Sequence, residues 1–277
     1  MNKIKLHYDP YPTNFGDLLS IFIAEKLYGA IASASTYDCD AVFVGSLINR
    51  FFRKRSFPSR AAGLLRPPVK IWGAGFIEKE HGIGEKLFRR LEIYACRGYR
   101  TLERLKKVRG VKFKREIAVA DPGLLSGRLI DTSNIKKKYK LGIIPHYIDK
   151  NSPFLSKIMV ENSTFINIQQ DPETFMKLLA ECELVIASAM HALIAADSLG
   201  MPNIRMILSD KIIGGDYKYD DYYSAFSLSS HAKIDLQKRD FSDKDLHEIR
   251  ENYKIDQEKV KKLQDELIAT FPFKDRR

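Results

Sequence analysis

LVIASAMHALIAADSLGMPNIRMIL, residues 184–208, reads as strand, helix, strand. The apolar run LVIASAM suits a strand buried on both faces, HALIAADSLG has helical spacing and ends at a glycine, and NIRMIL is a second apolar run. Strands separated by a helix pair in parallel, and a parallel sheet needs helices on both faces. Working outward, LGIIPHY at 141–147 and TFINI at 164–168 are further strands, with FMKLLAECE at 175–183 a helix between. The same alternation fills the first half: KIKLHY at 3–8, AVFVGSLI at 41–48, VKIWGAG at 69–75, EIYACRG at 92–98 and EIAVADP at 116–122, with helical patterns in DLLSIFIAEKLYG and YRTLERLKKV.

The polar, basic stretch DTSNIKKKYK at 131–140 has the composition of a connection. The expected fold class is therefore α/β, two Rossmann-type parallel-sheet domains facing a central cleft, with an N-terminal domain over 1–130 and a C-terminal domain over 138–277. The tail from Ser242 carries apolar residues at helical intervals among many charges, and predicts two amphipathic helices stopping near Pro272 and belonging to the second domain. Ligands of such sheets sit beyond the carboxyl ends of the strands, so the loops there are the places to look for chemistry.

With 277 residues, 44% hydrophobic and 29% charged, the chain is long enough for two cores and too apolar for disorder. Cys39, Cys96 and Cys182 are odd in number and lie in apolar segments, which predicts buried free thiols. No CxxC occurs and no histidine has a second ligand at metal spacing, so no metal is expected. No signal-peptide pattern or long apolar span appears, which predicts a cytoplasmic protein. The 46 basic against 35 acidic residues leave a formal charge of +11 and favour an anionic partner. Seven of the basic residues, Arg50, Arg53, Lys54, Arg55, Arg60, Arg66 and Lys70, fall between Ala41 and Ile77, where there is no acid. Phe51, Phe52, Phe57, Leu64 and Leu65 are interleaved with them. Segment 50–70 thus suits peripheral contact with anionic lipid on the inner membrane face, ordered on meeting acceptor or bilayer, or else a basic loop. No nucleic-acid fold signature accompanies it, and no nucleic-acid partner is expected.

Arg97 follows a strand and precedes a helix, where a guanidinium fork can meet a carboxylate or phosphate, or pair with an acid such as Glu103. His191 stands at a strand-to-helix junction with Ser188 as a candidate cap, and His146 ends the strand LGIIPHY; either can titrate near neutrality or be structural. NFGDLLS places Asn14, Gly16 and Asp17 at the first strand-to-helix turn, Asp17 as candidate N-cap and Gly16 allowing close backbone approach. Gly75 belongs to Gly73-Ala74-Gly75, which lacks dinucleotide-fingerprint spacing. GGDYKYDDYYSAF at 214–226 concentrates Lys218, Asp220, Asp221, Tyr222 and Tyr223, a mixture suited to hydrogen-bonding a sugar or anion, or is a solvated loop.

Taken together, NFGDLLS, RGYRTLERL, VADPGLL, LGIIPHYID, VIASAMHALIAADSLGMP and KYDDYYSAF run in the order of, and resemble, the motifs of the polysaccharide pyruvyl transferases, most closely the exopolysaccharide and capsular ketal-forming branch. The resemblance implies a GT-B-like fold, phosphoenolpyruvate as co-substrate without other cofactor, release of phosphate, and a saccharide acceptor, often polyprenyl-diphosphate-linked. It implies catalysis by His191 and Arg97, with Arg97, His146, Ser188, His191 and Lys218 on the donor. Asn14, Gly16, Asp17, Gly75 and Tyr222 are expected on the acceptor. Ala189 departs from the Arg or Ser of many members, so Lys218 or another basic residue is expected to compensate. A nucleotide-sugar glycosyltransferase on the same architecture is the alternative.

Overall fold

The computed structural model describes residues 3–9, 14–52, 55–79 and 86–273. The first half is built on β1 (Ile4–Leu6), α1 (Phe15–Leu27), β2 (Ile31–Ser33), β3 (Ala41–Val42), α2 (Phe57–Leu65), β4 (Val69–Trp72), β5 (Leu91–Cys96), α3 (Tyr99–Lys106) and β6 (Val111–Val119). Its strands form one parallel sheet in the order β2-β1-β3-β4-β5-β6. A short helix α4 (Ser126–Leu129) and a connection lead into β7 (Tyr139–Ile144).

The second half continues with β8 (Ile158–Met159), β9 (Ser163–Phe165), α5 (Pro172–Ala180), β10 (Cys182–Ala187), α6 (Met190–Ser198), β11 (Asn203–Ile207), α7 (Tyr217–Ser224) and β12 (Lys233–Asp235). Its main sheet has the order β12-β11-β10-β7-β9, again parallel throughout. Then β13 (Phe241–Ser242) pairs with β8 in a two-stranded ribbon, and α8 (Asp243–Asn252) and α9 (Gln257–Ala269) complete the chain. The fold is α/β, with two Rossmann-type parallel sheets.

Local signals set several boundaries. Asp171 caps α5, accepting from the Thr174 N–H at 2.9 Å, and Pro172 occupies the first helical position. The apolar run 41–48 is a strand only at Ala41–Val42; Phe43 and Val44 are buried loop residues. The predicted strand 164–168 is Ser163–Phe165. All three cysteines are buried and free.

One core cluster lines the outer face of each sheet, while the largest cluster runs through both halves, from Ile4 and Phe15 to Ile144, Met190 and Phe271. Phe15 of α1 stacks on Phe175 of α5 at 4.0 Å, joining the halves directly. The amphipathic tail was expected with the second half; α8 packs there, whereas α9 bridges the halves, reaching α6 through Gln257 Nε2, which donates to Asp197 O at 3.2 Å, and lying also on the first half. The Trp72 indole N–H donates to Leu267 O at 3.1 Å, Gln264 Nε2 to Leu124 O at 2.7 Å, and Phe43 and Trp72 pack on Phe271. The cause is the apolar stripe of α9, Val260, Leu263 and Leu267, which finds its burial there.

Segment 50–70 also differs from expectation. Ile48–Phe52 is a 3₁₀ turn and Phe57–Leu65 a helix. Phe51 and Phe52 are core residues, the first stacked on Phe88 and the second against Phe76, whereas Phe57 and Leu65 stand 82% and 83% exposed. Arg53 and Lys54 lie outside the described residues.

Candidate active site

β7 and β10 are neighbours in register, with Ile144 opposite Ala187, so the residues leaving both strands emerge side by side. Ser188 ties them together. Its N–H donates to Ile144 O at 3.1 Å, and its hydroxyl accepts from the His146 N–H at 2.8 Å. The cap of α6 is Ala189, without a side-chain bond, so the expected capping by Ser188 is corrected: its hydroxyl is spent on the β7 exit. Tyr219 donates to Ser188 O at 2.7 Å and thereby brings α7, with Lys218, onto the same edge.

The first half meets this edge through α1 and the end of β6. Gly16 lies against the His191 ring so closely that a Cβ there would fall 2.1 Å from Nδ1. Asp121, two residues beyond β6, holds one carboxylate oxygen on the Gly123 N–H at 2.8 Å. Its other oxygen faces His191 Nε2 at 4.0 Å, and both atoms are buried without a hydrogen-bond partner. An unpartnered pair of this kind is uncommon in a folded core and marks a place where a small movement or a ligand completes the contact. The His191 side chain retains 16% exposure although Nε2 itself is enclosed, so another part of the ring reaches solvent.

The electrostatics are consistent with this enclosure. Burial, reinforced by Arg97, Lys218 and His146, pushes the His191 imidazole down to about 3. Burial and Lys218 lower His146 to about 4. Burial, with Arg97 and Arg205 behind it, brings Lys218 down to about 7. Burial raises Asp121 to about 6 against the opposing Gly123 bond and Arg97. Lys218 and Asp121 are thus displaced toward neutrality, while both imidazoles are held neutral, and such a cluster of perturbed groups at one strand edge is a candidate acid–base site. Among the described residues, Lys218 makes no hydrogen bond or ion pair; Tyr219 lies 5.4 Å from its ammonium.

Asn14, not Asp17, caps α1: its side-chain oxygen accepts from the Asp17 N–H at 3.2 Å, and its amide also donates to the Asp17 carboxylate. Sequence favoured Asp17 because it directly precedes the apolar run, but the helix begins two residues earlier, at Phe15. Burial and neighbouring Asp9 raise Asp17 to about 7, with Arg50 opposing. Asp17 follows Gly16 in the chain, and its charged neighbours are Asp9 and Arg50.

Three sequence-predicted site residues are not at the site in the expected sense. Arg97 is wholly buried. Nε donates to Asp221 at 2.9 Å, Nη1 to Ser46 Oγ at 2.6 Å and Nη2 to Phe76 O at 2.6 Å, so its fork has no face for a ligand. The sequence reading is corrected because the partner, Asp221, is 124 residues away, beyond the reach of a local argument. Gly75 is where that guanidinium passes, with a Cβ there 2.4 Å from Cζ, and so it accommodates Arg97 rather than an acceptor. Tyr222 is fully buried and donates to Asp197 at 2.8 Å, because 217–224 is a packed helix and not a loop.

Sequence reasoning gave Asp121 no role at the site, and it read Asp221 as one of a group suited to a sugar or anion rather than as the partner of Arg97. Asp121 had a signal: an acid at the end of an apolar strand, immediately before Pro122. Asp221 had none separable from the neighbouring Asp220. Among the described residues, no group of three or more His, Cys, Asp or Glu side chains is placed to hold a metal, and no helix is long and apolar enough to cross a membrane.

The chain is thus a parallel-sheet α/β protein with a cluster of perturbed titratable groups where the strand ends of its halves meet. The profile of the polysaccharide pyruvyl transferases matches residues 2–210, and the chain belongs to that family, as a transferase of polysaccharide biosynthesis. It is similar to the uncharacterized protein L143 of Acanthamoeba polyphaga mimivirus, 30% identical over 237 residues spanning 82% of this chain and 75% of that one. Among solved structures, spinosyn rhamnosyltransferase SpnG complexed with thymidine diphosphate aligns over 91% of this chain and 73% of its own, at 12% identity and a TM-score of 0.38.

Proposed function

We propose that the protein transfers the pyruvyl unit of phosphoenolpyruvate to two hydroxyls of a saccharide, forming a pyruvate ketal and releasing phosphate. One sugar hydroxyl adds to the carbon bearing phosphate while the methylene carbon takes a proton; the C–O bond to phosphate then breaks, and the second hydroxyl closes the ketal. The two hydroxyl protons balance the reaction, one ending on the new methyl group and one leaving with phosphate or solvent. The observation that carries this reading is the enclosed His191–Asp121 pair beside Lys218 and His146, on a chain of this family.

Lys218 is the cation left to meet the donor's phosphate or carboxylate, and it supplies what Ala189 and the sequestered Arg97 do not. Arg97 acts from behind, as fixed positive charge in a dry interior. An arriving anion offsets the charges that hold the His191 imidazole neutral, so it gains basicity at the moment a proton must be moved. Asp121, once in contact with Nε2, fixes the tautomer and stabilises the imidazolium. Asn14 and Asp17 belong to the same first turn of α1 as Gly16, which lies against that ring, and would receive the acceptor hydroxyls, Asp17 as a base poised near neutrality. The acceptor follows the capsular and exopolysaccharide type, a repeat-unit intermediate on a polyprenyl diphosphate.

The test is incubation of the purified protein with phosphoenolpyruvate and candidate diol saccharides, reading inorganic phosphate and the mass of the sugar. Stoichiometric phosphate with a sugar heavier by one pyruvate less one water is the expected outcome. Nucleotide release from a sugar nucleotide, with no use of phosphoenolpyruvate, would establish a glycosyltransferase instead.

A further inference from the structure

A cavity of about 1240 Å³ lies outside the His191 group; none of Asp121, His146, His191 or Lys218 lines it. Its walls are α2, the turn before β5, α3 with the turn that follows, and Tyr217 at the start of α7. Among the described residues lining it, eight are lysine or arginine and one, Glu103, is a carboxylate. Glu103 already pairs with Lys106 at 2.8 Å, and Arg100 pairs with Asp220 at 3.1 Å. Among the described residues the remaining cations have no carboxylate in ion-pair contact: Arg60 Nε donates to Leu87 O at 3.0 Å, and Arg90 Nη2 to Arg66 O at 3.0 Å. Arg104 gives Nη1 to Glu78 O and lies over the Phe76 ring at 3.8 Å, while its Nη2 is buried with no hydrogen-bond partner. Concentrating like charges and desolvating a guanidinium nitrogen are both unfavourable unless an anion enters.

The same walls are apolar. Phe52, Leu64, Leu87 and Val108 face the cavity. Gly63 makes this possible: a Cβ there would sit 2.3 Å from Phe88 O, so α2 rests directly on that backbone. Phe57, Arg60 and Leu64, at i, i+3 and i+7, share one face of α2, so the apolar wall runs out along the helix to Phe57, which is 82% exposed. Cations enclosing an apolar floor that continues onto an exposed aromatic match a molecule with an anionic head and a hydrocarbon body. They match neither a small soluble anion nor a neutral detergent.

We propose that this cavity is a binding site for a single phosphate-bearing amphiphile, with its phosphate among Arg104, Lys107 and Arg109 at the end of α3 and its chain along α2. This site is separate from the acid–base group, and binding is read without donor, acceptor or turnover, so it stands or falls independently of the pyruvyl-transfer reading.

The probe is dodecyl phosphate below its micelle concentration, titrated calorimetrically against the full chain, with dodecyl maltoside and inorganic phosphate as comparisons. The variant Lys107→Gln/Arg109→Gln removes two exposed cavity cations. Lys136→Gln/Lys150→Gln, also exposed and outside the cavity, carries the same charge change. Dodecyl phosphate is expected to bind the wild type and the second variant alike, and the first variant roughly 10-fold more weakly or less. Dodecyl maltoside and inorganic phosphate are each expected to bind at least roughly 10-fold more weakly than dodecyl phosphate. Equal weakening in both variants would reduce the effect to net charge and overturn the site. Equal affinity for dodecyl maltoside, or for inorganic phosphate, would overturn the amphiphile.

Discussion

Arg97 Nε and Asp221 Oδ2 meet at 2.9 Å with neither side chain exposed, and the pair welds the start of α3 to α7 across the two halves. Asp221 also accepts from the Thr101 N–H and hydroxyl, both at 2.7 Å. Removing one member leaves the other charge buried and uncompensated, a loss of about 3–5 kcal/mol. Asp221→Asn and Arg97→Ala should therefore lower the melting temperature sharply in the absence of any substrate. Arg97→Met/Asp221→Leu should recover part of that loss. Wild-type melting of Asp221→Asn, with a change confined to the donor KM, would return Arg97 to the role of ligand clamp.

The same joint explains Gly98. A Cβ at this position would lie 1.6 Å from Asp221 O, a backbone atom that cannot swing aside. Gly98→Ala should cost at least about 1–3 kcal/mol by forcing α3 away from α7. Because Tyr99 N–H donates to Ser224 Oγ at 2.8 Å in the same joint, hydrogen exchange at the start of α3 should rise more than in the distant β9.

His191→Ala should leave melting near that of the wild type at pH 7.5, since the first turn of α6 tolerates alanine, while kcat falls by about 10²–10⁴-fold. Asp121→Asn keeps the shape and the Gly123 bond but removes the charge facing Nε2. It should lower kcat with little effect on the donor KM, because Asp121 acts through His191 and does not touch the donor. Unchanged turnover in Asp121→Asn would make the 4.0 Å pair merely structural.

The parallel sheets were legible because buried strands such as Leu184–Ala187 are uninterrupted apolar runs separated by helical spacing, a signal carried within about ten residues. His191, His146 and Lys218 were legible for the same reason: each follows a strand exit or opens a helix beside one. What was not legible depended on long-range pairing. Arg97 has the sequence appearance of a ligand-binding arginine until Asp221 arrives from α7, and the docking of α9 on the first half depends on a Trp72 indole 195 residues from its acceptor. Segment 50–70 misled in another way. Its composition is that of a surface loop, yet Phe51 and Phe52 are drawn into the core by Phe88 and Phe76, Leu64 is half-buried, and Phe57 and Leu65 stand largely exposed.

The lowered histidines make a pH prediction whose sign can be worked out. His191 resists protonation down to about 3 and His146 down to about 4, against an ordinary value near 6.5 in the unfolded chain. Between those limits the unfolded state binds the extra protons, so these two groups favour folding above about 6.5 and withdraw that support as pH falls. Asp121 and Asp197, raised by burial to about 6 and about 7, act oppositely: the folded state holds their protons, and their contribution declines as pH rises from about 4. The opposing sets blur the wild-type profile, so the difference between variants is the cleaner measurement. Relative to wild type, His191→Ala should gain about 2 kcal/mol on moving from pH 7.5 to pH 5, because the variant no longer carries a ring that must refuse a proton. Lys218→Met removes a positive charge felt by both rings, so the NMR titrations of His146 and His191 should both shift upward, and phosphoenolpyruvate should raise His191 in the wild type by the same electrostatic logic. A His191 resonance that titrates near 6.5 in the free protein would show that the ring is solvated, and would remove both the stability difference and the coupling to Lys218.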